Sequence, residues 1–512
     1  MRNILSFLAA ITLCVLFARA SAQSTTGNET HVDSTETTRR TQKAIDSLTQ
    51  IISGTRDKQI KAVLYVKRGL QESILGQSKI AVSDYTSAVD LNPTLRDAYT
   101  YRAMEYKGNG NYIEGIADLR KALGFSATNT KYSSMLYSDI ALMELRLKNY
   151  GQVLKSDSIA LELDPNNSLG YAYNGWAYYY LTKYEKAIEC YSAAISSYSK
   201  NPDVSLSELI AARGDAKRYL KKYNDAINDY SQAINLDPDN RHARWNRAAC
   251  YSGNGDYQLA DTEYTKTMGY YAGDVTNLAL LYYDRAKMEI NEQKFSEALH
   301  DDSVSLSYNN KYGPAYWRMA DAYALSADFQ KSMEWYKQTL KYYTGKKPAL
   351  SALNAAVSIQ AYFLKQYDEV INSSTIAIGL DEKAWGPYLD RGRGYLKLGK
   401  KDKAIGDFKQ ILALDTTKKS YEYAYALFYT GNTDKAIEIM QNNIINTTNP
   451  AVLMGHYYNI ACLYALMNKP DEANIYLKKC FDEGYSKKYA QFDSDFDNVR
   501  DTPAFKALIN AK

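Results

Sequence analysis

Six arginines are each followed, sixteen residues on, by an acid: Arg68 and Asp84, Arg102 and Asp118, Arg213 and Asp229, Arg247 and Glu263, Arg285 and Asp301, and Arg391 and Asp407. A guanidinium facing a carboxylate makes a charge-assisted, often bidentate, hydrogen-bonded pair. One spacing recurring along a chain points to one recurring contact, so these pairs are expected to brace the fold rather than to catalyse. The sequence shows no Gly-x-Ser-x-Gly elbow and no His-Glu-x-x-His helix. Gly394 to Lys401 resembles a phosphate-binding loop, but Lys401 stands where that loop requires Ser or Thr. His31, His242, His300 and His456 are scattered, and Cys190, Cys250, Cys462 and Cys480 lack Cys-x-x-Cys spacing, so no metal and no cofactor is expected.

Positioning the arginines falls to a repeated element. A small residue recurs along most of the chain, as Gly69, Ala103, Ala141, Gly175, Gly214, Ala248, Ala286, Ala320, Ser358, Gly392, Ala424 and Ala461. Antiparallel helices approach closely only where facing side chains are small, so the spacing predicts twelve helical hairpins and an all-α fold. With the small residue numbered 8 in each unit, the arginines occupy position 7 and their acids position 23. The six units that lack the arginine, with Ile140, Asn174, Met319, Val357, Tyr423 and Ile460 in its place, also lack the acid. Such matched gain and loss predicts that each Arg spans the two helices of its own hairpin.

Around the small positions, the first unit places Tyr65, Gly69, Ala81, Tyr85, Ala88 and Pro93 at positions 4, 8, 20, 24, 27 and 32. The fifth places Gly214, Tyr223, Ala226, Tyr230, Ala233 and Pro238 at 8, 17, 20, 24, 27 and 32. These residues resemble the tetratricopeptide repeat (TPR), over roughly residues 57–484. The resemblance implies a right-handed α-solenoid that serves as a non-enzymatic scaffold. Unit spacing alternates between a shorter and a longer value, so pairs of repeats form the building block. The longer members are expected to bulge in loops such as Ser199 to Pro202.

In that family, positions 2, 5, 9 and 12 of each first helix line a concave groove that holds peptides. Carried onto this chain, those positions imply a partner-binding set rich in aromatics: Trp176, Tyr179, Trp245, Tyr283, Trp317, Tyr362 and Tyr425. Trp and Tyr supply large contact area at low entropic cost, as binding hot spots require. Asp215, Arg218, Lys287, Asp321 and Arg393 lie nearby and could orient a ligand. The family's Lys and Asn clamp for a carboxylate terminus is absent, because Val66, Leu70, Trp245 and Ala249 occupy its places.

The ends frame the array. Residues 1–22 carry Arg2, an apolar run from Ile4 to Ala18 and a closing Ala20-Ser21-Ala22, the layout of a secretory signal. The sequence before Cys14 departs from a lipobox, so soluble export is expected, with a bacterial periplasm or exterior foremost and a eukaryotic secretory lumen left open. Residues 23–40 read as a disordered polar linker and 41–484 as the solenoid, with a leading helix at Gln42 to Ile52. Residues 485–512 read as a cap in which Phe496, Val499, Phe505 and Leu508 cover the last hairpin. No later stretch is apolar enough for a membrane helix. Removing Arg2 and Arg19 takes Lys plus Arg from 62 to 60 against 58 acids, with no basic tract for nucleic acid. The expected partner is a protein or peptide, and the oligomeric state stays open. The competing expectation is a structural component of an envelope complex, assembled through the convex face and edges.

Overall fold

The structure, a computed structural model, describes residues 34–125, 130–198 and 204–511. The signal-like segment, Cys14, His31 and the Ser199 to Pro202 loop lie outside these residues. Every regular element among the described residues is helical. After a leading helix, Ser34–Gly54, the chain forms twelve hairpins, from Lys58–Ile74 with Ser78–Leu91 to Pro450–Leu466 with Pro470–Asp482. Three short elements close it: Lys487–Phe492, a 3₁₀ turn at Ser494–Phe496, and Pro503–Asn510. No described helix is long and apolar enough to cross a membrane. The chain divides into two compact units, the first ending at Glu263 and the second beginning at Tyr264.

The leading helix starts eight residues earlier than the expected Gln42, so the last part of the polar linker, from Ser34, is helical. Glu36 pairs with Arg39 at 2.7 Å and Arg40 at 2.8 Å, one turn along, and Thr41, Ile45 and Ile52 are buried. Ion pairs at these spacings support a helix whose apolar face is already anchored.

Within the hairpins, second-helix rings stack onto first-helix glycines. A Cβ at Gly69, Gly175, Gly214 or Gly392 would stand 2.5 to 2.9 Å from the ring of Tyr85, Tyr191, Tyr230 or Phe408 respectively. These four glycines are therefore requirements of packing. The extra residues of the longer repeats two, six and eight lengthen the helix that follows: the first helices of repeats three, seven and nine have 17 residues, against 13 in repeats four, eight and ten. Repeats three, five and nine share a further bond. Ser134, Ser207 and Ser351 donate to the carbonyls of Ala160, Ala233 and Ala377 at 2.7 to 2.8 Å. In repeat seven the same bond runs the other way, from Ser305 to the Ala279 carbonyl at 2.7 Å.

All six arginine pairs close within their hairpins. Nη2 meets the acid at 2.7 to 2.9 Å in each, and Nε makes a second bond in the five aspartate pairs. The remaining nitrogen, Nη1, reaches across to the preceding element. It donates to Thr49, Thr86, Ser192, Ser231, Thr265 and Thr375 for the six arginines in chain order, at 3.0 to 3.3 Å. Each guanidinium thus ties three helices together, and the leading helix supplies Thr49 where later repeats supply a second-helix hydroxyl. Asp84, Asp229 and Asp301 are 1 to 3% exposed, so these pairs are screened far less than surface ones. A double-mutant cycle on Arg285→Met and Asp301→Leu is expected to show a coupling above about 0.5 kcal/mol in urea denaturation, and additive losses would contradict the contact.

Another pair links neighbouring repeats. Arg318 of repeat eight bonds Asp302 of repeat seven through Nε at 2.9 Å and also through Nη2. Burial pushes the Asp302 carboxyl up to about 6, against the pull of Arg318.

Candidate interaction site

In the first unit, repeats four to six surround a cleft of about 580 Å³. The first helix of repeat four, Ser168–Tyr180, presents Trp176, Tyr179 and Tyr180 to it. Ala211 and Ala212 of the next first helix, Leu206–Tyr219, are small and leave the space open, and Glu208 and Asp215 line the same helix. Asp237, Asp239, Asn240, Arg241 and His242 come from the turn into repeat six and the start of its first helix.

Local packing fixes the aromatic wall. Trp176 stacks on Tyr173 with ring centroids 5.9 Å apart and meets Tyr191 edge-on at 6.2 Å. Tyr179 lies edge-on to Tyr184 and Tyr219, which stack on each other at 5.0 Å. Trp176 and Tyr179 are partly exposed. Beneath them Tyr191 is fully buried, its ring seated on Gly175, and its hydroxyl has no hydrogen-bond partner. Such an orphan costs about 1–3 kcal/mol unless something satisfies it.

The polar wall is organised around Asp215. One carboxylate oxygen accepts from the Tyr230 hydroxyl at 2.7 Å, and the other faces His242 Nε2 at 2.8 Å. That bond raises the His242 pKa above its usual range. Glu208 closes a capping box with Ser205, and the Asp237 carboxylate accepts from the Asp239 amide at 3.0 Å.

The other expected groove aromatics are placed differently. Trp245, on the first helix of repeat six, is half-buried and outside the lining of the cleft. Trp317 is half-buried and lies edge-on to Tyr343 at 5.7 Å. Tyr283 is covered by the Arg318 guanidinium, 3.6 Å from its ring centre, so it packs between repeats rather than offering a free face. Tyr362 and Tyr425 are only 4% and 2% exposed. As anchors for a partner both are corrected by the structure: the C-terminal segment returns over the first helices of the second unit and covers Tyr362, and Tyr425 is buried with its hydroxyl donating to the Asn459 carbonyl of repeat twelve at 3.3 Å.

That return is held by polar and aromatic contacts. The Tyr362 hydroxyl donates to Asp495 at 2.8 Å, Arg393 pairs with the same carboxylate, and Lys397 donates to the Ser494 carbonyl at 3.1 Å. Arg393 also stacks on Tyr362 at 4.1 Å and on Tyr425 at 5.7 Å. Further back, Tyr489 donates to the Ala324 carbonyl at 2.7 Å, and Phe329 meets the rings of Tyr489 and Phe492. Phe496, Val499 and Phe505 are buried against the last hairpin as the cap reading expects, and the segment extends beyond it to repeat eight. Cys462, Asp493 and Asp495 are grouped as metal ligands are, and Arg393 pairs with Asp495 and stands 3.9 Å from Asp493. Cys462 and Cys480 are free thiols; Cys480 donates weakly to the Met454 carbonyl.

Comparison with known proteins agrees with the repeat assignment. A family model described as TPR repeat matches residues 214–255, and one described as Tetratricopeptide repeat matches 175–201 and 457–482. The chain carries TPRs, and its hairpins form an α-solenoid fold. Human DnaJ homolog subfamily C member 7 is 21% identical over 330 residues, 60% of this chain and 66% of that protein. A tetratricopeptide repeat protein from Parabacteroides merdae is 16% identical with TM-score 0.37, covering 60% of this chain and 99% of that one. Yeast Tom70 is 14% identical with TM-score 0.39, covering 86% and 95% respectively.

Proposed function

We propose that this chain is a non-enzymatic scaffold that docks an extended peptide or helix of a partner protein in the cleft of its first unit. The observation that carries this reading is the pairing of half-buried Trp176 and Tyr179, which line a space of about 580 Å³, with an orphaned Tyr191 hydroxyl beneath them. Rigid aromatics beside small residues are the anchors from which hot spots are built. The second unit supports the same use of the fold by example, since its aromatic face already holds a short helical segment of its own chain. Under the same proposal the scaffold works in a bacterial periplasm or outside the cell, a reading supported by the signal-like layout of residues 1–22.

Selection of a displayed random-peptide library on the protein from residue 24 onward tests the docking. Selected peptides are expected to bind Trp176→Ala/Tyr179→Ala at least tenfold more weakly than the parent, a change of about 1.4 kcal/mol, with the melting temperature preserved. Equal affinity for both proteins would move the working surface to the convex face and edges, and with it the function to assembly of an envelope complex.

A further inference from the structure

Four carboxylates line the cleft, from Glu208, Asp215, Asp237 and Asp239, against the single fixed cation of Arg241. His242 adds charge only when protonated, and its side chain is 59% exposed, so it can swing away from Asp215. Arg218, on the same helix as Asp215, stacks on Tyr219 at 4.8 Å and acts electrostatically on Asp215 and His242 from outside the lining of the space. The opposite wall is aromatic. Cations are attracted to the faces of Trp and Tyr, most strongly where water is excluded. An anion would meet the carboxylates, and an apolar side chain would bring no donor to them or to the buried Tyr191 hydroxyl.

We infer that the cleft is a specificity pocket for a cationic side chain, a Lys or Arg of the docked peptide, held between the faces of Trp176 and Tyr179 and the Asp215 carboxylate. This rests on the docking reading above and adds the chemistry of the ligand. An ammonium has three donors and no acceptor, and a guanidinium has five donors and none. Asp215 has already accepted one bond on each oxygen and keeps further lone pairs; the Tyr191 oxygen has accepted none. The donor surplus of the ligand thus meets an acceptor surplus in the pocket. His242 occupies part of that acceptor capacity in the free protein and would be displaced from Asp215 by the ligand.

The test uses three proteins and one peptide pair. Library selection on the parent protein is expected to enrich Lys or Arg at one position. Replacing that residue by norleucine in a synthetic copy is expected to weaken binding at least tenfold. Asp215→Asn, which keeps an acceptor for Tyr230, is expected to erase the difference between the Lys and norleucine peptides. Raising salt from 50 to 500 mM should weaken the Lys peptide more than the norleucine one. Selected peptides that are apolar or acidic, or a Lys preference untouched by Asp215→Asn, would overturn the cationic pocket while leaving docking intact. Peptides whose affinity ignores Trp176→Ala/Tyr179→Ala would overturn the docking reading itself, and the pocket with it.

Discussion

Ending the chain after Glu483 is expected to strip hydrogen-exchange protection from the second unit while residues 34–263 keep theirs. The cap residues Phe496, Val499 and Phe505 are buried at 0 to 2% exposure, and burial of each such side chain stabilises by about 1.5–3 kcal/mol. Loss of the returning segment also exposes Tyr458 and Tyr362, whose hydroxyls donate to Asp493 and Asp495. Arg393 then loses both of its acids. In a repeat array each hairpin leans on its neighbours, so a lost end opens successive interfaces rather than one. Loss of protection confined to repeat twelve would show that the segment is a terminal lid and nothing more.

Arg393→Ala in the full-length chain is the second large effect. Its guanidinium is sandwiched between Tyr362 and Tyr425 and bonds Asp495, which is 1% exposed. Removing one partner of a buried pair costs about 3–5 kcal/mol, because the remaining charge is left without compensation. Asp493, 4% exposed and beside it, has its carboxyl pushed above the usual range by burial, so it would protonate rather than stay charged. Urea denaturation of Arg393→Ala should therefore show a loss of several kcal/mol at neutral pH that becomes smaller on acidification. The sign follows from the acids: protonation removes the uncompensated charges and with them the penalty. A loss below about 1 kcal/mol would mean that the acids find other partners.

The repeat frame was legible because close helix packing imposes a periodic demand on residue size. Gly69, Gly175, Gly214 and Gly392 had to be small, and their regular places on the chain gave the hairpins their number and bounds. The arginine pairs were legible for the same reason, since position 7 and position 23 changed together. The third tie was equally open to that comparison: Thr86, Ser192, Ser231, Thr265 and Thr375 all stand at position 25 of the repeat before an arginine. Arg318 and Asp302 escaped notice because their pair crosses between repeats from positions 6 and 24. The placement of Tyr362 and Tyr425 was hidden for a different reason. What covers Tyr362 lies far along the chain, its bond to Asp495 spanning 133 residues, and no periodic signal encodes a contact made once. Whether a groove position faces solvent depended on where the C-terminal segment settled.

The central claim is that partner binding belongs to the first unit, around Trp176. Incorporation of 5-fluorotryptophan gives one ¹⁹F signal for each of the chain's five tryptophans, assignable by single Trp→Phe replacements. On titration with a library-selected peptide, the Trp176 signal is expected to shift while those of Trp317, Trp335 and Trp385 in the second unit hold still. A shift at Trp317 with Trp176 unmoved would contradict the account.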